Sequence, residues 1–99
     1  MPRPRKCRRV SSEPETVYFK PVGVPLRDLR ELEITIDELE SLKLVDYHEL
    51  EQIEASKKMG ISQSTLHRLL ISARKKISEA LTDGCAIKIS GGDYYVSKK

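Results

Sequence analysis

The run Ala55-Ser56-Lys57-Lys58-Met59-Gly60-Ile61-Ser62-Gln63-Ser64-Thr65-Leu66-His67-Arg68-Leu69-Leu70 decides the fold. It reads as the end of one helix, a tight glycine turn and the start of a second helix. Ala55 and Met59 stand one helical turn apart, and Gly60 permits the positive φ that lets a chain leave a helix sharply. Ile61 is placed to plug the turn, and Ser62 to cap the next helix by accepting a backbone N–H. Leu66, Leu69, Leu70, Ala73, Ile77, Ala80 and Leu81 then form an apolar stripe at helical spacing. The remaining face holds Gln63, Ser64, Thr65, His67, Arg68, Ser72, Lys75 and Lys76. A polar first turn on the second helix is the layout of a helix-turn-helix that reads the major groove of DNA.

Working outward, 99 residues suit one domain with a small core. With 33% charged residues, one Phe and no Trp, a large ligand cavity is not expected. No apolar run approaches the roughly 20 residues of a membrane span, and the basic N-terminus lacks the apolar segment of a secretory signal. A cytoplasmic protein is expected. Cys7 and Cys85 lack CxxC spacing and read as reduced thiols.

The net charge of +3 conceals segregation along the chain. Residues 1–10 carry Arg3, Arg5, Lys6, Arg8 and Arg9 with no acid. Residues 34–54 carry seven acids against Lys43 alone. Residues 55–82 carry six basic groups against Glu79. A polyanion would meet two positive regions separated by an acidic helical layer.

Residues 1–16 lack apolar periodicity and read as a flexible basic arm, with residues 17–99 as a single domain. Pro21 and Pro25 restrain Tyr18–Pro25 to extended backbone. Leu26, Leu29 and Leu32 suggest a short helical turn between Pro25 and Glu33. Thr35 and Glu38 form the S/T-x-x-E capping box of a helix running to about Asp46. A second helix is expected from Glu49 or Leu50 to Lys58, burying Ile53, and a third from Gln63 to about Thr82, stopped by Asp83-Gly84. Ala86–Ile89, Ser90–Asp93 and Tyr94–Val96 read as a strand, a turn and a strand. The fold class expected is therefore mainly α: a helix-turn-helix three-helix core, an extended basic arm and a short C-terminal β-hairpin.

Reach assigns roles. Gln63, Ser64, Thr65, His67 and Arg68 lie at the groove-entering end, where Gln can bind adenine and Arg guanine in bidentate fashion. Lys57, Lys58, Ser62, Lys75 and Lys76 suit phosphates, although Lys57 can equally offset the dipole of its own helix. Arg74 leans to another side, towards an acid or a partner. Arg3, Arg5, Lys6, Arg8 and Arg9 form a proline-extended arm suited to a narrow A·T minor groove, or to general phosphate attraction. An enzyme is not expected. His48 and His67 lack the neighbouring ligands of a metal site, and no Gly-rich phosphate loop is present, so no metal or cofactor is assigned. Asp37, Glu38, Glu40 and Glu54 read as a solvated acidic face.

Met1–Arg9, Tyr18-Phe19-Lys20-Pro21 with Gly23 and Pro25-Leu26, and Thr35-x-Asp37-Glu38-Leu39-Glu40 together resemble a prokaryotic family of small uncharacterised proteins. The likeness continues through Lys58–Ser62, Ala73–Lys76 and Ile89-x-Gly91-Gly92. Members are expected to bind DNA through a helix-turn-helix similar to region four of bacterial sigma factors. Some carry a further C-terminal domain resembling iron–molybdenum cofactor biosynthesis proteins, which is not expected here. Ser56 departs from the alanine general in the family.

The resemblance implies a transcriptional regulator whose partner is double-stranded DNA. A homodimer is expected, because one short helix reads few base pairs. The alternative is a protein-interaction module that docks on transcription machinery through its acidic first helix. A redox or metal sensor using Cys7 and Cys85 is a third reading.

Overall fold

The computed structural model describes residues 7–96. Five strands frame three helices: β1 (Arg8–Val10), β2 (Tyr18–Phe19), β3 (Glu31–Ile34), α1 (Ile36–Leu42), α2 (Gln52–Met59), α3 (Gln63–Asp83), β4 (Ala86–Ile89) and β5 (Tyr94–Val96). No helix among the described residues is long and apolar enough to cross a membrane.

Local sequence accounts for the helices. The Thr35 hydroxyl accepts from the Glu38 N–H at 3.3 Å, and the Glu38 carboxylate accepts from the Thr35 N–H at 2.9 Å. This is the expected capping box. Past Leu42 the chain continues as a single π turn, Lys43–Tyr47. Glu49 then takes a left-handed conformation with φ 59°, so α2 cannot start there and begins at Gln52. Gly60, at φ 68°, ends α2, and Ser62 caps α3 by accepting the Thr65 N–H. Gly84, also left-handed, stops α3 one residue beyond the expected end.

The expected mainly α class is corrected by the strands. Of the structure, 49% is helical and 18% lies in strands divided between two sheets. A three-helix core is present, but it sits in an α+β frame, and a sigma-region-four-like helix-turn-helix class is not shown. The C-terminal hairpin is absent as well. β4 pairs antiparallel with β2 and parallel with β3, whereas β5 pairs parallel with β1. Alternation identified both strands correctly but carried no information about their partners. The parallel β3–β4 pair needs a crossover connection, and all three helices supply it.

Residues 8–10, expected in the flexible arm, are built into the fold. Arg8 donates its N–H to the Asp93 carbonyl at 2.9 Å, and Val10 is fully buried. Only Leu26–Asp28 of the expected helical turn is helical, as one 3-10 turn, before the chain extends into β3.

Two apolar clusters result. Leu44, Ala55, Met59 and Leu66 form one, with Ile61 and Leu69 packed against it, so Ile61 does plug the turn. Val10, Ile36 and Ile89 form the other, which ties both chain ends to α1. Ile53 and Leu81, expected in the core, are 52% and 77% exposed. Ser56 is buried without penalty, because its hydroxyl donates to the Ile53 carbonyl at 2.7 Å. Cys7 is exposed and Cys85 buried, and both are free thiols.

Candidate nucleic-acid interface

Helix α3 has two unlike faces, set by its 3.6-residue period. Leu66, Leu70, Ala73 and Ala80 point inward and are buried. Gln63, Ser64, His67 and Arg68 are exposed. With Gln52 at the start of α2, these four line an open groove of about 460 Å³. The structure thus brings together four of the five residues expected to read bases. Gln52 was missed, since nothing in the sequence marks it as Gln63's neighbour across the turn.

Thr65 differs from the other four. It is half-buried, and its hydroxyl receives hydrogen bonds from Ser62 at 2.9 Å and Arg68 at 3.5 Å. Ser62, expected at phosphate, spends its oxygen on capping α3. Both belong to a cleft of about 750 Å³ that is also lined by Arg8, Glu38, Arg68 and Ser72.

The basic residues divide likewise. Lys57, Lys58 and Lys75 are exposed and make no ion pair among the described residues. Lys76 is engaged: its ammonium lies 2.8 Å from the Glu38 carboxylate, a group only 6% exposed. Arg74 bonds Asp46 through two nitrogens, at 2.7 and 3.1 Å, and lowers the pKa of that carboxyl. Arg8 lies 3.4 Å from Asp93 and 3.9 Å from Asp37, and Arg9 donates to the Tyr95 hydroxyl at 3.2 Å. Both arginines therefore belong to β1 rather than to a free arm. Arg3, Arg5 and Lys6 lie outside the described residues.

The acidic face of α1 is a second correction. Asp37, Glu38 and Glu40 are at most 5% exposed, not solvated, and each meets a partner from elsewhere. Asp37 meets Arg8; Glu38 meets Lys76 and the Ser72 hydroxyl; Glu40 meets Ser11 and Lys43. Burial alone would raise the Glu38 pKa. Hydrogen bonds from Lys76, Ser72 and the Thr35 N–H outweigh burial and leave the carboxyl below its ordinary value.

Comparison with known proteins supplies the family. The model of the family described as "Protein of unknown function DUF134" matches residues 1–97. A UPF0251 protein of Desulfosudis oleivorans is 53% identical over 94 residues, covering 95% of this chain and 68% of the relative. A UPF0251 protein of Thermoanaerobacter pseudethanolicus is 49% identical over 96 residues, covering 97% and 81% respectively. No solved structure matches the chain. A match over residues 1–97, with relatives near half identity along almost the whole chain, means that this protein belongs to the DUF134/UPF0251 family.

Proposed function

We propose that the protein is a cytoplasmic DNA-binding regulator that lays the N-terminal half of α3 in the major groove. One observation carries this reading: Gln63, Ser64, His67 and Arg68 share one open groove on a helix anchored by buried Leu66 and Leu70. A rigid helix with short polar and guanidinium side chains facing outward matches the chemistry of base edges. Lys57 and Lys58 at the end of α2 and Lys75 on α3 are exposed and suit backbone phosphates. A homodimer would double the few base pairs that a single helix reads.

The rival reading, docking through an acidic first helix, is disfavoured. Three acids of that helix, Asp37, Glu38 and Glu40, are buried, which counts against such a surface.

The test is a duplex-affinity titration against salt. Three lysines at phosphates predict a slope of log affinity against log salt of about −2.7 per protomer, roughly 0.9 for each. Absence of duplex binding at low salt, or affinity independent of salt, overturns the reading. Selection of bound sequences from a random duplex pool would then show the base preference.

A further inference from the structure

Away from the α3 groove, a cleft of about 720 Å³ opens between β1, the π turn and the end of α2. Leu44 and Leu50 give it an apolar floor, and Arg9, Lys43, His48 and Lys58 surround it. That volume lies within the range of small-molecule sites, as does the mixture of an apolar base with few polar groups. The charges around it do not cancel. Glu40 is already matched by Lys43 at 3.9 Å and by the Ser11 hydroxyl, which leaves Arg9 and Lys58 without a carboxylate among the described residues.

The backbone is irregular where it borders the cleft. Lys43 and Leu44 open the only π turn among the described residues, and Glu49, between His48 and Leu50, is the only non-glycine residue there with positive φ. Both irregularities cost conformational energy and are enriched at functional sites. They hold Lys43 and His48 at the rim while Leu44 stays buried.

We infer that this cleft binds a small organic anion, with a carboxylate or phosphate head between Arg9 and Lys58 and an apolar body over Leu44 and Leu50. The cleft shares Lys58 with the proposed phosphate contacts, but its test contains no DNA, so its failure and the failure of the DNA reading are distinguishable. Anilinonaphthalenesulfonate, a fluorescent organic anion, should bind the full chain saturably at one site per protomer. Hexanoate or hexyl phosphate should displace it, the better competitor identifying the head group. Hexanol and inorganic phosphate, each supplying half of the chemistry, should compete about tenfold more weakly.

The double variant Arg9→Glu with Lys58→Glu should lose about tenfold or more in probe affinity with an unchanged circular dichroism spectrum. The charge-preserving pair Arg9→Lys with Lys58→Arg should retain binding, which separates the site from a folding defect. Non-saturable probe binding, equal affinity in the charge-reversed variant, or hexanol competing as well as hexanoate would overturn the proposal.

Discussion

The α2–α3 pair and the strands around it are held by contacts of different range. α2 and α3 adjoin in sequence, and Ala55, Met59 and Leu66 close onto Leu44 across one short turn. The strands unite opposite ends of the chain, with Arg8 opposite Tyr94 and Val10 opposite Val96. Between them lies α1, whose buried acids meet Arg8 from the first strand and Lys76 from the third helix. The difference teaches that α3 gets its shape locally, while the charge balance beneath it is completed only when distant segments arrive. The same helix consequently carries Lys75, open to solvent, beside Lys76, which holds the fold together.

The largest effect that would break this comparison is expected at Gly92, in the long-range half. Its φ is 98°, and an added Cβ would lie 2.4 Å from an Asp37 carboxylate oxygen and 2.9 Å from the Thr35 Cβ. Gly92→Ala should cost roughly 2–5 kcal/mol, combining left-handed strain with overpacking. Urea unfolding measures the loss. Amide exchange should accelerate in β1, β5 and the first turn of α1 before it does in α2 and α3. Simultaneous acceleration everywhere would mean that the two regions unfold as one.

Next in size is Glu38→Gln, which leaves Lys76 facing a neutral group and should cost about 1–3 kcal/mol. The sign of its pH dependence follows from the lowered pKa in the folded state. Glu38 contributes stability that is in place above the ordinary carboxyl value of 4.5 and is lost as pH falls through its folded value. Acid unfolding of the variant should therefore be less steep below that pH than that of the parent protein. Equal steepness would remove Glu38 from the acid response.

The outer face should respond in the opposite way. Arg68→Ala is expected to weaken specific duplex binding by about 1–3 kcal/mol and relax preference at one base pair, with little change in melting temperature. Lys75→Ala should reduce the salt slope by about 0.9 and spare stability, whereas Lys76→Ala should destabilise the fold. If Lys75 and Lys76 behave alike in both assays, the proposed division of α3 into a binding face and a structural face fails. The smallest effect is expected from Arg74→Ala. Its pair with Asp46 is about half exposed, so thermal unfolding should register no more than about 1 kcal/mol.

Much of the helical region was legible because its determinants lie within a few residues of one another. Thr35 and Glu38 announce the start of α1, and Gly60 and Ser62 announce the turn. The start of α2 was misplaced because a left-handed Glu49 is a backbone state that its side chain does not advertise. Ile53 and Leu81 sit at plausible core spacing, yet among the described residues they stay largely exposed. Four base-reading candidates followed from helical periodicity. The engaged state of Lys76 and Arg8 did not, because their partners Glu38, Asp37 and Asp93 are 38, 29 and 85 residues away. The anion cleft was illegible for the same reason: Arg9, Lys43 and Lys58 become neighbours only in the folded chain.

The sequence by itself determined where α1 and α3 are capped, where α2 turns into α3, where α3 stops to within a residue, and which face of α3 is polar. Those properties depend on hydrogen bonds and side-chain spacings within one or two helical turns. Only the tertiary structure decided that β4 and β5 part company, that the acids of α1 are buried, and which lysines stay exposed. Strand pairing and charge neutralisation depend on what arrives from the other end of the chain, and no local pattern encodes that arrival.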